Sequence, residues 1–294
     1  MRKLNDQIRR LGLVVNPDKP AARTLARRAV ALLAARRCEV WTHAATAEFA
    51  RLSLPTCASE ADLARQVDVL LVLGGDGTML RVARDTAGAN TPVLGVNLGT
   101  LGFLTAAAAR GLAQTLDLLW SGECVVESRS LIEATASLVQ GPVAELALND
   151  FVISRGAVPR LIELEVRVNG ELLTSYRGDG LIVSSPTGST AYSLAAGGAV
   201  VSPLAEVFAL TPICPHTLSN RSVIVRLDAQ VEVLLRSQRV ETFLAADGLM
   251  RAELTAGESV VIRRSQHAAH LVRLPGSSFF DTLRQKLNWS GSSV

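Results

Sequence analysis

In the stretch Val69-Leu70-Leu71-Val72-Leu73-Gly74-Gly75-Asp76-Gly77-Thr78, an apolar run gives way to glycines that surround one aspartate. The run is typical of a buried strand, and the residues after it have the spacing of an amphipathic helix. Glycines let backbone N–H groups approach a ligand closely, and a helix N-terminus adds partial positive charge. The sequence therefore predicts a phosphate-binding loop made of Gly74, Gly75, Gly77 and Thr78. The loop is not of the Walker A type, because no Gly-Lys-Ser/Thr follows.

Asp76 is an acidic residue in a loop that should attract anions, so it needs a specific role. Two roles are open: holding a divalent cation that bridges phosphates, or accepting the proton of an attacking hydroxyl. Because phosphoryl transfer depends mainly on positioning, orientation of the hydroxyl can outweigh removal of its proton. The plain structural alternative is an Asp-Gly turn between a strand and a helix.

Around this loop, short apolar runs alternate with helical patterns, which is typical of βαβ units and a parallel sheet. Predicted strands cover residues 11–15, 39–42, 67–73 and 93–96, and predicted helices cover residues 21–37, 78–87 and 110–121. We expect an α/β N-terminal domain with an open, mostly parallel sheet over residues 1–122. The C-terminal segment 275–294 is expected to rejoin it, because residues 278–289 again have a helical pattern.

From about residue 123 the pattern changes to alternation, which predicts a β-rich C-terminal domain over residues 123–274. Predicted strands cover residues 125–132, 144–153, 161–168, 172–176, 181–184, 223–226, 231–235, 243–246 and 259–264. Asn169-Gly170 and Asp247-Gly248 are expected to form tight hairpin turns between strands.

The composition excludes several classes of protein. Of 294 residues, 48% are hydrophobic and 19% charged, which predicts a folded domain rather than a disordered chain. The net charge of +3 and 4% aromatics argue against binding to nucleic acid. The four cysteines form no CxxC pair, so a structural zinc site is not expected. Unpaired cysteines and the lack of an export signal or membrane span predict a cytoplasmic protein with no membrane partner.

A second informative stretch runs from Tyr176-Arg177-Gly178-Asp179-Gly180 to Thr187-Gly188-Ser189-Thr190-Ala191-Tyr192-Ser193. Its hydroxyl groups can donate to and accept from a sugar or the edge of a base, and Tyr192 offers a flat face for stacking. The plain alternative is a Ser/Gly-rich connection between strands with a packed tyrosine.

Taken together, these motifs resemble the NAD kinase family, in its bacterial form, and the resemblance covers nearly the whole chain. The GGDGT loop alone is not decisive, because diacylglycerol and sphingosine kinases carry a similar loop. The ordered set is more specific: Gly74–Thr78, the run from Gly95 to Thr105, Leu148-Asn149-Asp150, Arg177–Ala195 and then Gly197-Gly198. Thr211-Pro212-Ile213-Cys214-Pro215-His216 and Asp247-Gly248 also resemble this family.

The resemblance implies a two-domain NAD kinase-like architecture. It also implies transfer of the γ-phosphoryl group of ATP to the 2′-hydroxyl of the adenosine ribose of NAD, which forms NADP. Partners would be NAD and ATP, with a divalent metal ion, Mg²⁺, as cofactor and no metal ligand assigned in the chain. The family also suggests a homodimer or homotetramer.

Residue roles follow from the same resemblance. Asp76 would be the catalytic acidic residue, with Gly77 and Arg81 beside the dinucleotide. The pair Asn149 and Asp150 would bind the ribose of NAD and adjoining groups. The other NAD-binding residues would be Arg160, Arg177, Asp179, Thr190, Ala191, Tyr192, Ser193, Leu194 and Ala195. Many family members have Gln or His after the late Asp-Gly, whereas this chain has Leu249, which is therefore left out of the site.

Two other functions remain open at this stage. A lipid kinase of the diacylglycerol kinase type would share the Gly-Asp-Gly loop, but it would need an apolar access path or interfacial helix. A dinucleotide sensor without catalytic activity would bind NAD without turning it over, and the presence of Asp76 argues against it.

Overall fold

The computed structural model describes residues 2–4, 8–216 and 221–289. The chain divides into two compact units, one of residues 1–128 with 268–294 and one of residues 129–267. Each unit has its own hydrophobic core. No helix among the described residues is long and apolar enough to span a bilayer.

The N-terminal part of the first unit is an α/β structure. Its strands are β1 (Arg2–Lys3), β2 (Arg10–Val15), β3 (Glu39–His43), β4 (Thr56–Cys57), β5 (Val69–Leu73), β6 (Val93–Asn97) and β7 (Ala107–Ala108). Its helices are α1 (Ala21–Ala34), α2 (Ala44–Ala50), α3 (Glu60–Gln66), α4 (Asp76–Asp85) and α5 (Leu112–Trp120). The order β6-β5-β2-β3-β4 is parallel throughout, which confirms the predicted sheet.

The sheet is parallel because apolar runs follow one another with helices between them. Every residue of β5 and of β6 is buried, as expected for strands covered on both faces. The helices α2 and α3 were not predicted, since each has only seven residues and too few turns to show a period. Helix α1 ends earlier than predicted, and Arg37 has a positive φ of 56° that no α-helix accommodates.

The second unit is built of antiparallel strands. They are β8 (Val125–Leu138, which begins in the first unit), β9 (Gly141–Ala147), β10 (Asp150–Arg155), β11 (Ile162–Val168), β12 (Glu171–Gly178), β13 (Gly180–Ser184), β14 (Val207–Ile213), β15 (Val223–Arg226), β16 (Val231–Leu235), β17 (Thr242–Ala246), β18 (Leu249–Leu254) and β19 (Ser259–Arg273). One sheet has the order β15-β14-β13-β10-β17-β18. Both predicted hairpins are confirmed, since β11 pairs with β12 across Asn169-Gly170 and β17 with β18 across Asp247-Gly248.

Two strand predictions need correction. Strands β14 and β18 were not predicted, because β14 is buried along nearly its whole length and β18 is mostly exposed, so neither alternates clearly. The predicted strand over residues 144–153 is two strands, β9 and β10, separated at Leu148 and Asn149. This break belongs to the candidate site.

The chain returns to the first unit at its C-terminal end. There β19 pairs in parallel with β6 through Leu271 and Val93. A short helix, α6 (Tyr192–Ala195), lies in the second unit, and the last helix, α7 (Phe279–Lys286), lies in the first. Helix α7 confirms the helical pattern predicted within residues 278–289, whereas residues 290–294 of the predicted segment lie outside the described residues.

Candidate functional site

Asp76 is the first residue of helix α4, where Gly75 is the N-cap. The helix therefore begins two residues earlier than predicted. A carboxylate in the first turn is stabilised by the partial positive charge of the helix N-terminus, which explains why the helix can start on an acid. Gly74 and Gly75 complete the connection from β5, and Thr78 is buried in the first turn.

Two backbone amides hold the Asp76 carboxylate. The N–H of Phe103 donates to Oδ2 at 2.8 Å, and the N–H of Leu104 donates to Oδ1 at 3.2 Å. A carboxylate offers about four lone-pair positions, so an acceptor position remains on each oxygen. Because a Cβ on Gly102 would overlap the Asp76 carboxylate, a glycine is required where the loop passes this side chain. The structure thus fixes Asp76 as an oriented hydrogen-bond acceptor.

Arg81 lies one turn further along α4 and is held by acids of its own unit. Its guanidinium contacts Glu60 at 2.8 Å and Asp85 at 3.2 Å, and Glu60 is buried. Burial lowers the pKa of Arg81, but the hydrogen bonds and charges of Glu60 and Asp85 outweigh it and raise that pKa overall. Arg81 therefore stays positively charged, and its contact with Glu60 sets its orientation.

Asn149 and Asp150 lie at the break between β9 and β10, and Asp247 explains the break. The Asp247 carboxylate accepts N–H bonds from Leu148, Asn149 and Asp150, at 3.1, 2.7 and 3.3 Å. A side-chain acceptor that captures consecutive amides competes with strand pairing. Asp247 sits in the turn between β17 and β18, so a distant hairpin fixes the backbone of the predicted Asn-Asp pair.

Asp150 has an unusual environment. It is 3% exposed, and burial followed by repulsion from Asp247 raises its pKa from 3.8 to about 7. A carboxyl that is half protonated near neutral pH can donate as well as accept a hydrogen bond.

The turn from Thr187 to Ala195 lies directly against Asn149. The Asn149 carbonyl accepts the N–H of Ser185 at 2.8 Å and the hydroxyl of Ser184 at 3.3 Å. A Cβ on Gly188 would collide with that carbonyl, so only glycine permits this close approach. The structure therefore brings together two motifs that are well separated in the sequence.

Within this turn the predicted residues differ in accessibility. Tyr192 is 46% exposed, so its ring is open to a partner, and Ala195 is also exposed. Ser193 is fully buried and its hydroxyl is shared with Thr211 at 2.9 Å, which gives it a structural role in this conformation. The remaining members, Thr190, Ala191 and Leu194, are half-buried.

The three remaining predicted residues of the second unit are Arg160, Arg177 and Asp179. Asp179 is paired with Arg155 at 2.6 Å, and that hydrogen bond holds the pKa of Asp179 below its ordinary value. Arg160 and Arg177 are exposed. Both guanidinium groups are therefore accessible to solvent.

Sequence reasoning missed three groups that shape the site: Asp247, the Phe103 and Leu104 amides, and Arg155. The Asp-Gly pair at 247 signalled a turn but not which amides it would capture. Backbone amides carry no side-chain signal, so no pattern could have identified those of residues 103 and 104.

Comparison with known proteins supplies the family. Residues 11–124 match the model of the ATP-NAD kinase N-terminal domain, and residues 148–274 match that of the ATP-NAD kinase C-terminal domain. An NAD kinase of Symbiobacterium thermophilum is 44% identical over 278 residues, which cover 94% of this chain and 98% of that protein. An NAD kinase of Moorella thermoacetica is 40% identical over 285 residues, which cover 97% of this chain and 91% of that protein.

Solved structures agree with this match. A crystal structure of yeast NADH kinase complexed with NADH has a TM-score of 0.88 at 25% identity, covering 97% of this chain and 89% of that chain. A crystal structure of an NAD kinase from Archaeoglobus fulgidus in complex with ATP has a TM-score of 0.72 at 25% identity, covering 96% of this chain and 100% of that chain.

The α/β unit with its Gly-Asp-Gly loop, joined to a β-rich unit, defines a two-domain phosphotransferase that acts on an alcohol group. The chain belongs to the ATP-NAD kinase family. The resemblance read from the sequence is confirmed, and the comparisons support neither a lipid kinase nor a sensor without catalytic activity.

Proposed function

We propose that this chain transfers the γ-phosphoryl group of ATP to the 2′-hydroxyl of the adenosine ribose of NAD, with the carboxylate of Asp76 as the catalytic group that accepts a hydrogen bond from this hydroxyl. The ribose oxygen forms a bond to the γ-phosphorus, the bond to the β–γ bridging oxygen breaks, and NADP and ADP are the products. The observation that carries this proposal is the Asp76 carboxylate at a helix N-terminus, held by the amides of Phe103 and Leu104.

Asp76 would act mainly by orienting the hydroxyl. Both of its oxygens already accept one N–H bond, so the carboxylate cannot rotate freely, and a remaining lone pair can accept the ribose O–H. Holding a reactant in a fixed orientation is a large part of catalysis in phosphoryl transfer. The hydroxyl proton would pass to the Asp76 carboxylate as the bond from the ribose oxygen to phosphorus forms.

Binding of NAD would fall to the second unit. Asn149 and Asp150 would contact the ribose, and the exposed ring of Tyr192 would stack on a base. Arg160 and Arg177 would contact phosphate oxygens through their guanidinium groups. Asp179 would contribute after exchange of its bond to Arg155, and Arg81 of the first unit would be oriented by Glu60.

The phosphate donor would be ATP with a bound divalent ion, which we take as Mg²⁺. Within the described residues no three His, Cys, Asp or Glu side chains are grouped so that they could hold a metal. Mg²⁺ commonly binds one or two carboxylates and the phosphates of a nucleotide rather than a cage of protein ligands. An ion of this kind would arrive with ATP, and Gly74, Gly75, Gly77 and Thr78 would face the phosphates of ATP.

We place the protein in the cytoplasm as a homodimer or homotetramer. All four cysteines lie in the described part of the chain and are unpaired, as expected in a reducing compartment. Closed symmetry is the general expectation for an oligomer of one kind of chain.

The decisive experiment is an assay of NADP formation with the purified chain and Mg-ATP. NAD and dispersed diacylglycerol are offered in separate reactions, and the donor is varied among ATP, other nucleoside triphosphates and polyphosphate. We expect NADP from NAD and ATP, and no phosphorylated lipid. Phosphorylation of lipid alone, or NAD binding without turnover, would contradict the proposal.

A further inference from the structure

The loop over residues 98–105 holds Asp76 without offering any side chain to it. Its contribution is the pair of N–H groups of Phe103 and Leu104, which bond to Oδ2 and Oδ1 at 2.8 and 3.2 Å. Any shift of this loop therefore moves the two donors that orient the carboxylate. The position of the loop is part of the geometry on which Asp76 depends.

Side chains at the two ends of the loop hold its base. Asn97 accepts the N–H of Gly99 through Oδ1 at 2.9 Å, and Thr105 accepts the N–H of Gly102 through Oγ1 at 3.0 Å. Asn97 and Thr105 are both buried. These bonds fix where the loop leaves and rejoins the sheet, but they do not reach the Phe103 side chain.

The Phe103 ring is held from the C-terminal helix. Its centroid lies 6.2 Å from that of Phe279, with 44° between the ring planes, and the Phe279 ring lies 5.5 Å from Phe280. Aromatic pairs at this separation attract each other beyond the effect of simple burial. Both Phe103 and Phe279 are half-buried.

Helix α7 is itself attached to the first unit. Leu283 is buried, and the Ser278 side chain caps the helix by accepting the N–H of Phe280 at 3.1 Å. Beside the ring pair, Leu101 and α7 border an open groove of about 680 Å³. Among the described residues, the contact between the Phe103 and Phe279 rings joins the loop to α7 on this side.

We propose that Phe279 is a positioning residue for the phosphoryl transfer. Its ring fixes Phe103, and the Phe103 and Leu104 amides in turn fix the Asp76 carboxylate. This inference rests on the proposed function of Asp76. It assigns to the C-terminal helix a part in catalysis that is exerted through the Phe103 ring.

The first test measures kcat and KM for NAD in Phe279→Ala, Phe279→Tyr and Trp289→Ala. Loss of the ring should lower kcat about tenfold and leave KM for NAD within about threefold, since orientation is lost but binding is not. Phe279→Tyr keeps the ring and should restore kcat. Trp289 is an exposed aromatic of the same segment, so its removal should change neither constant. An unchanged kcat in Phe279→Ala would overturn the inference.

A double-mutant cycle separates positioning from general damage. If Phe279 acts through Asp76, Phe279→Ala should lower single-turnover rates little or not at all in the Asp76→Asn background. Equal effects of Phe279→Ala in both backgrounds would overturn the inference. Phe279→Leu replaces Phe279→Ala throughout if the alanine variant does not fold.

A measurement that does not depend on enzymatic activity tests this inference separately from the proposed function. Hydrogen exchange of the peptide over residues 98–105 should be faster in Phe279→Ala, while that of helix α5 is unchanged. Unchanged exchange in both peptides would refute the support role even in an active enzyme. If the wild-type protein makes no NADP but Phe279→Ala still exchanges faster than wild type over residues 98–105, the support role stands and the proposed function is refuted instead.

Discussion

Replacing Asp150 by Asn should change how the stability of the protein depends on pH. Asp150 is 3% exposed and close enough to Asp247 to be repelled by it. Burial, and then this repulsion, raise its pKa from 3.8 to about 7. Asparagine has nearly the same size and stays neutral, so it mimics the protonated acid at every pH.

The direction in which stability changes with pH depends on the number of protons that the folded and the unfolded chain bind. Below about pH 4 the Asp150 side chain is protonated in both the folded and the unfolded chain. Between about pH 4 and pH 7 the unfolded chain releases this proton and the folded chain keeps it, so folding becomes less favourable as the pH rises. Above pH 7 Asp150 is ionised in both the folded and the unfolded chain, and the loss of stability is complete. A difference of about 3 pKa units corresponds to about 4 kcal/mol.

Urea unfolding of wild type and Asp150→Asn, at about eight pH values from about 4.5 to about 8.5, measures this effect. The free energy of unfolding of the variant, relative to that of the wild type, should rise by about 1.4 kcal/mol per pH unit up to pH 7. Above pH 7 the difference should stay constant. Asp18→Asn, at an exposed acid of the first unit, should show no such trend. A difference between wild type and Asp150→Asn that is the same at every pH would refute the reasoning.

Three further predictions concern catalysis and binding. Asp76→Asn should lower kcat by about 10²–10⁴-fold with little change in the Kd for NAD measured by calorimetry, and equal loss of both would show that Asp76 binds rather than catalyses. Gly102→Ala should lower kcat by about 10²-fold, because the new methyl group overlaps the Asp76 carboxylate; wild-type kcat in this variant would contradict the described geometry. Tyr192→Ala should weaken NAD binding by about 1–2 kcal/mol if the exposed ring stacks on a base, whereas Tyr192→Phe should retain it, and an unchanged Kd in the alanine variant would remove Tyr192 from the site.

Much of the fold follows from local pattern. The all-buried run 69–73 followed by glycines predicted a strand, a turn and a helix, and the structure has β5 and α4 there. Alternation after residue 123 predicted a β-rich domain, and dipeptides with glycine predicted two hairpins correctly. These features depend on residues within a few positions of one another, which a sequence displays directly.

The break between β9 and β10 shows where such reasoning fails. Residues 144–153 alternate like one strand, yet Asp247 captures the amides of residues 148–150 from about a hundred positions away. Nothing local distinguishes these amides from others in a strand. The predicted site residues Asn149 and Asp150 were thus identified by family resemblance, while their geometry came from a contact that no local pattern contains.

The sequence by itself determined which residues are present at the loop and which elements flank it, because strand, glycine turn and helix are local properties of the backbone. The tertiary structure alone decided what each carboxylate faces: Asp76 meets amides 27 and 28 residues away, and Glu60 meets Arg81. It also decided that Asp150 is buried beside another acid. The reason is physical, since orientation and electrostatic environment depend on distances in space, and those distances exist only once the sheets have formed.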